Sequence, residues 1–264
     1  KTGTPEEVGY YATNKIVDDV NIIPRAAILF HLTSKHSFKF LYGNAINHAP
    51  AISNLDVLIF NVMNNKNEPF LKPEKIHTLE LNYIATPTEN MLINFSLFRN
   101  TLNDLLIREV KFEPVTEAYS PITTNAGKAE TLGSEFSFSW DNKKWNTNIS
   151  LTYQKTENKR AGYEHIKAGF SPNLMANAKI CYAITKDFSI ALTGKYIDEM
   201  YPFWLGDPET GNYQGDKTDA FVLINGNIRK DNFFVEGLYA NFRLYNIMDT
   251  DCIYPTHEVQ LWAT

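Results

Sequence analysis

WNTNISLTY, residues 145–153, alternates large or apolar side chains with small polar ones. In an extended chain successive side chains point to opposite sides. Trp145, Thr147, Ile149, Leu151 and Tyr153 then share one face, and Asn146, Asn148, Ser150 and Thr152 share the other. A helical period would mix the two sets, so the stretch reads as a strand. The same reading holds outward in both directions. Phe136, Phe138 and Trp140 alternate with Ser137 and Ser139, and Phe188, Ile190, Leu192 and Tyr196 stand against Ser189, Thr193 and Lys195. Further upstream, Met91, Ile93, Phe95 and Leu97 alternate with Asn94 and Ser96, while Leu79, Leu81 and Tyr83 alternate with Thr78, Glu80 and Asn82. The pattern predicts ten strands, at roughly 25–33, 36–46, 76–85, 89–100, 130–140, 144–156, 173–184, 188–197, 219–228 and 233–246.

Five short polar turns join these strands in pairs: Ser34-Lys35, Thr86-Pro87-Thr88, Asp141-Asn142-Lys143, Thr185-Lys186-Asp187 and Arg229-Lys230-Asp231-Asn232. Between the pairs lie longer polar stretches, roughly 47–74, 101–130, 157–172, 198–218 and 247–257. Short and long connections therefore alternate. A β-sandwich has no reason to send its long loops to one end, whereas outer-membrane barrels have short turns on one side and long loops on the other. The expected fold is all-β, an antiparallel up-and-down transmembrane barrel wall. Trp145, Ile149, Leu151, Tyr153, Phe136, Phe138, Ile190 and Leu192 are the expected lipid-facing residues. Trp140 and Trp145 flank one tight turn, where aromatic rings suit the boundary between hydrocarbon and water.

Composition agrees with this reading and excludes others. The chain has 264 residues and a net charge of −5, with no cluster of Lys and Arg for phosphate backbones, so nucleic acid is not an expected partner. A mean hydropathy of −0.30 leaves no long apolar run for a membrane helix, yet it suits strands that show lipid every second side chain. Cys181 and Cys252 are too few for a disulfide framework and match no zinc spacing. The chain opens on KTGTPEEVGYYATNK, which is polar and carries no export signal, so an exported protein with this start is expected to be a processed or truncated piece.

Five segments, in order, resemble the C-terminal half of the barrel of TonB-dependent outer-membrane receptors. They are KFLYGNAINHAP (39–50), NEPFLKPEKIHTLELNY (67–83), NFSLFRNTLNDLL (94–106), KAETLGSEFSFSW (128–140) and GLYANFRLYNIMDTDCIYP (237–255). In the first, Asn47-His48 stands where the family often has Phe-Arg. The resemblance implies that residues 1–264 form part of one barrel domain, an open slice of about ten strands from a 22-strand barrel, lacking the plug and the last strand. It implies an outer-membrane location in a bacterium, with lipid as one partner and the TonB complex, acting through the plug, as another. It also implies a small-molecule cargo, most commonly a ferric siderophore. An isolated slice is not expected to fold by itself, because unpaired backbone groups at its edges are costly in lipid. A passive porin-like or adhesin barrel and a soluble β-rich binding module are the alternatives.

No catalytic pattern appears. His31, His36, His48, His77, His165 and His257 form no HExxH or paired metal spacing, and there is no GxSxG and no phosphate loop, so neither an enzyme nor a cofactor is expected. The loop DEMYPFWLGDPETGNYQGDKT (198–218) gathers Tyr201, Phe203, Trp204 and Tyr213, the candidate ligand contacts, among Asp207, Glu209 and Asp216. Packing of loop against loop explains the same rings. The opposite strand face is polar, with Asn94, Asn146, Asn148, Ser150, Gln154, Lys179, Lys195, Asn241 and Arg243 expected to line a hydrated lumen.

Overall fold

A computed structural model describes residues 21–64, 66–113, 118–164, 167–202 and 216–255. Ten strands form one sheet in sequence order: β1 (Arg25–Thr33), β2 (His36–Asn47), β3 (Glu74–Ala85), β4 (Met91–Glu113), β5 (Ala118–Asp141), β6 (Trp145–Asn158), β7 (Leu174–Thr185), β8 (Phe188–Ile197), β9 (Phe221–Lys230) and β10 (Ala240–Leu244). Each pairs antiparallel with the next, and among the described residues β1 and β10 do not meet. The sheet is all-β and up-and-down, as the alternation predicts, and open, as the family resemblance implies.

The turns show why the strands reverse where they do. Asn142 accepts hydrogen bonds from the amides of Lys144 and Trp145, both at 2.9 Å, so its side chain closes the turn between β5 and β6. Thr185 Oγ1 accepts from the Asp187 amide at 3.3 Å between β7 and β8.

Three connections differ from the sequence reading. The stretch 47–74, read as a polar loop, contains a helix, α1 (Ala51–Asn64). The Pro50 carbonyl accepts from Ser53 and Asn54 at its start. Val57 and Phe60 bury against Ile122 of β5, with Leu71 packed beside them. Two helix asparagines hold the returning chain: Asn54 Oδ1 accepts from the Leu71 amide at 2.9 Å, and Asn61 pairs with both backbone groups of Glu68. The polarity that suggested a loop is the glue of a helix.

The stretch 101–130 is mostly strand, because β4 and β5 run on past the sheet as a long hairpin. Two register shifts, at Leu102/Leu105 and Leu105/Ile107, re-aim it. At the shift Asp104 takes a positive φ of 56°. Asn125 grips the spot, donating to Asp104 O at 2.7 Å and Lys72 O at 2.9 Å and accepting from the Lys72 amide at 2.7 Å. The third difference lies at the other end. The turn predicted at 229–232 is a nine-residue connection, 231–239, and β10 is five residues long instead of the predicted 233–246. Asn232 and Phe234 there adopt φ of 51° and 67°, which break a strand.

Candidate functional site: two faces of one sheet

Register fixes which side chains share a face. Starting from β6, Ile149 lies opposite Phe138 and Ala178, and Leu151 opposite Phe136 and Ala176. The row continues through Phe95 and Leu97 on β4, Tyr83 and Leu81 on β3, Phe38 and Phe40 on β2, and Phe30 and Ile28 on β1. On the other side it runs through Ile180, Leu192 and Ile190 to Ile228 and Phe242. All eight residues Trp145, Ile149, Leu151, Tyr153, Phe136, Phe138, Ile190 and Leu192 stand on this face. Among the described residues no helix or second sheet covers it: Leu192 is 56 % exposed and Tyr153 55 %.

This apolar surface is a belt with two distinct borders. At the short-turn border, Trp145 lies between Trp140 and Tyr182, with ring centroids 6.3 Å and 4.5 Å away. Phe38 and His36 pack on Tyr83 nearby, and the His36 imidazole and the Tyr83 hydroxyl hydrogen bond at 2.7 Å. At the opposite border the face turns ionic. Arg99 meets Glu130 at 2.8 Å, and Glu157 meets Lys155 at 2.7 Å and Lys159 at 2.5 Å. The run from Trp145 to Tyr153 is about 26 Å long at about 3.3 Å per residue. A tilt of about 40° brings its height to about 20 Å, close to the apolar band of an outer-membrane barrel.

The other face carries all nine of the expected polar residues. Ser150 stands opposite Ser137 and Asn177, Lys179 opposite Asn148 and Thr193, Lys195 opposite Asn177, and Asn241 opposite Arg229. The sheet curves into a shallow concavity of about 450 Å³ there, lined by Ser150, Asn177, Lys179, Thr193 and Lys195 among others. A hydrogen-bonded set on β3 and β4 joins Glu80, Asn82 and Ser96, the last two buried. Gly133 is needed on this face because the Phe98 ring lies across it. A Cβ there would come within 2.4 Å of Phe98 Cζ and 2.8 Å of the Tyr153 carbonyl.

Of the four candidate ligand contacts, Tyr201 is half-buried at the base of its loop, where its carbonyl accepts from the Phe170 amide at 3.0 Å. Phe203, Trp204 and Tyr213 lie outside the described residues, as do His165 and His257. The loop base is built from Ile197, Met200 and Phe221, with Leu223 against them, and a Glu199–Lys217 ion pair. The Glu199 carboxylate holds the Lys217 ammonium above its ordinary range. His31 and His77 each pair with one neutral side chain, Ser37 at 2.8 Å and Asn44 at 2.7 Å. Among the described residues no group of His, Cys, Asp and Glu is placed to hold a metal ion. Cys181 and Cys252 are free thiols. No described helix is long and apolar enough to cross a membrane.

Residues 3–247 match the model of the family described as TonB dependent receptor-like, beta-barrel. No curated protein matches the chain. Among solved structures, the ferric-catecholate import receptor Fiu of E. coli K12 is 20 % identical with a TM-score of 0.64, over 88 % of this chain and 31 % of that one. The ferripyoverdine receptor of the Pseudomonas aeruginosa outer membrane is 12 % identical with a TM-score of 0.66, over 86 % and 29 %. The copper transporter OprC is 16 % identical with a TM-score of 0.63, over 87 % and 34 %. The chain spans about a third of the length of these structures, which share its fold.

Proposed function

We infer the function from one premise: this chain belongs to the TonB-dependent receptor β-barrel family. The family is one of transporters and receptors rather than enzymes, and its members are proteins of the bacterial outer membrane. The chain is a stretch of wall, within residues 1–264, of a barrel that closes with further strands, 22 in all. That barrel binds a scarce nutrient outside the cell and imports it with energy from the TonB complex, transmitted through a plug domain. Trp145, Ile149, Leu151, Tyr153, Phe136, Phe138, Ile190 and Leu192 face lipid, and the polar face lines the lumen. Tyr201, Phe203, Trp204 and Tyr213 of the loop at 198–218 are the proposed contacts to the cargo.

One observation carries this reading. The apolar belt crosses all ten strands without a protein cover among the described residues, and it stops at aromatic rings on one side and ion pairs on the other. A soluble module would have to leave that whole surface in water. A ferric siderophore is the proposed cargo. Fiu and the ferripyoverdine receptor carry such iron complexes, while OprC carries copper.

The test is uptake by intact cells. Cells expressing the full-length protein take up radiolabelled iron supplied as a ferric siderophore, and they lose that uptake when either the protein or the TonB complex is deleted. Uptake that survives loss of the TonB complex makes the barrel a passive channel. Uptake of copper with no uptake of iron overturns the cargo.

A further inference from the structure

The polar face is not electrically uniform. In β6 to β10 it carries Lys179, Lys195, Arg229 and Arg243. Among the described residues of those five strands the sole carboxylate is Glu157, which stands on the opposite face across from Glu130 and pairs there with Lys155 and Lys159. Carboxylates on the polar face of the strands lie on the other half of the sheet, with Glu74 and Glu80 on β3 and Glu135 and Asp141 on β5. A chain with a net charge of −5 has therefore gathered a positive sector on one half of one face.

Arg229 is neutralised locally by Asp231, at 2.7 Å. Lys179 and Lys195 have no ion pair among the described residues and stand exposed on neighbouring strands. Lys179 is opposite Thr193 and Lys195 is opposite Asn177, so the two are diagonal neighbours, with Cα atoms about 7–8 Å apart. Around them lie neutral donors: Asn177, which donates to Ser150 at 3.5 Å, and Asn225, which donates to Thr193 at 3.3 Å. Two ammonium groups backed by amides and hydroxyls in a concave surface recognise an anion with charge spread over several oxygens. Cations are repelled by the same field.

We propose that Lys179 and Lys195, with Asn148, Asn177 and Thr193, form an anion-binding step on the concave wall and favour passage of a negatively charged cargo. The sector selects for multiply charged oxyanions or carboxylate- and catecholate-bearing complexes over neutral or cationic solutes. This rests on the lumen assignment made above for the polar face.

The experiment uses the full-length protein in detergent, titrated calorimetrically with inorganic pyrophosphate at low and at moderate salt. Wild type binds saturably and more weakly as salt rises. Each of Lys179→Gln and Lys195→Gln loosens binding by about three- to fivefold and the double variant by about tenfold or more, while Lys39→Gln on β2 leaves it unchanged. Wild type without saturable binding, as expected if an acidic protein surface already occupies the wall, overturns the proposal. So does equal loosening by Lys39→Gln. A second arm separates this from a wrong face assignment. On a Cys181→Ala, Cys252→Ala background in membranes, a water-soluble maleimide labels Ser150→Cys and spares Leu151→Cys. That labelling without pyrophosphate binding removes the anion step and keeps the lumen. The reverse labelling removes the lumen itself.

Discussion

Leu151 and Ser150 are neighbours in the chain, yet they live by different rules. Leu151 stands between Phe136 and Ala176 in register and is 41 % exposed. Ser150 stands between Ser137 and Asn177 and accepts a hydrogen bond from the latter. In a soluble sheet one of the two would sit under a second layer, and burial would explain its identity. Here neither does. We propose that the difference between the faces comes from two solvents, hydrocarbon on one side and water on the other.

The most damaging way to break this comparison is to exchange the media. In the full-length barrel refolded into lipid vesicles, Leu151→Arg is expected to cost about 2–4 kcal/mol and Ser150→Arg well under about 1 kcal/mol. Denaturant unfolding reads both. Equal costs leave the two faces without distinct solvents and take the membrane reading with them.

A second test separates solvent from shape. Gly133 lies on the polar face, and its lack of a side chain leaves room for the Phe98 ring and the Tyr153 carbonyl. Gly133→Val is expected to destabilise the barrel by about 1–3 kcal/mol through overpacking, although it adds an apolar group to a polar face. Adding Phe98→Ala recovers only part of the loss, because the carbonyl contact belongs to the backbone. A neutral Gly133→Val means that this face is loose enough to be governed by polarity alone.

The comparison of faces was legible in the sequence because a period of two needs only neighbouring residues. All eight belt residues and all nine polar ones fall where the alternation of WNTNISLTY and its kin sends them. What escaped were features set by longer-range partners. The helix at 51–64 has the spacing Ile52, Leu55, Ile59 and Val62, a helical signal, but its asparagines read as loop chemistry. Their backbone partners, Glu68 and Leu71, lie beyond a local window. The extension of β4 and β5 depends on Asn125 bridging Lys72 and Asp104, which are 53 and 21 residues away. In the loop candidate, Tyr201 was visible as an aromatic, but its place at the loop base follows from a backbone hydrogen bond to Phe170, 31 residues away. The basic sector was missed because its charges sit on four separate strands, and only the register assembles them.

The border of the belt offers a smaller effect. Trp145 and Tyr182 have ring centroids 4.5 Å apart, tilted by 38°. A double-mutant cycle of Trp145→Ala and Tyr182→Ala in vesicles is expected to show coupling of about 0.5–1.5 kcal/mol. Zero coupling reduces the pair to two separate anchors at the interface.

The smallest effect lies just beyond that border, in the connection at 231–239. Arg229 places Nε and Nη2 at 2.9 and 2.7 Å from one oxygen of Asp231, and its guanidinium lies over the Tyr239 ring at 4.7 Å. The hydrogen bonds from Arg229 hold the Asp231 carboxyl below its ordinary range. A carboxyl whose folded pKa is depressed stabilises the folded state above its unfolded pKa, and that contribution is lost as pH falls through the folded value. Both groups are open to water, so the gain is slight and screened by salt. Wild type should therefore exceed Asp231→Asn slightly in unfolding midpoint at neutral pH. The gap should close below about pH 4, where the unfolded carboxyl already takes up its proton. A gap that widens on acidification reverses the sign and shows that the carboxylate is tolerated beside Arg229 rather than held by it.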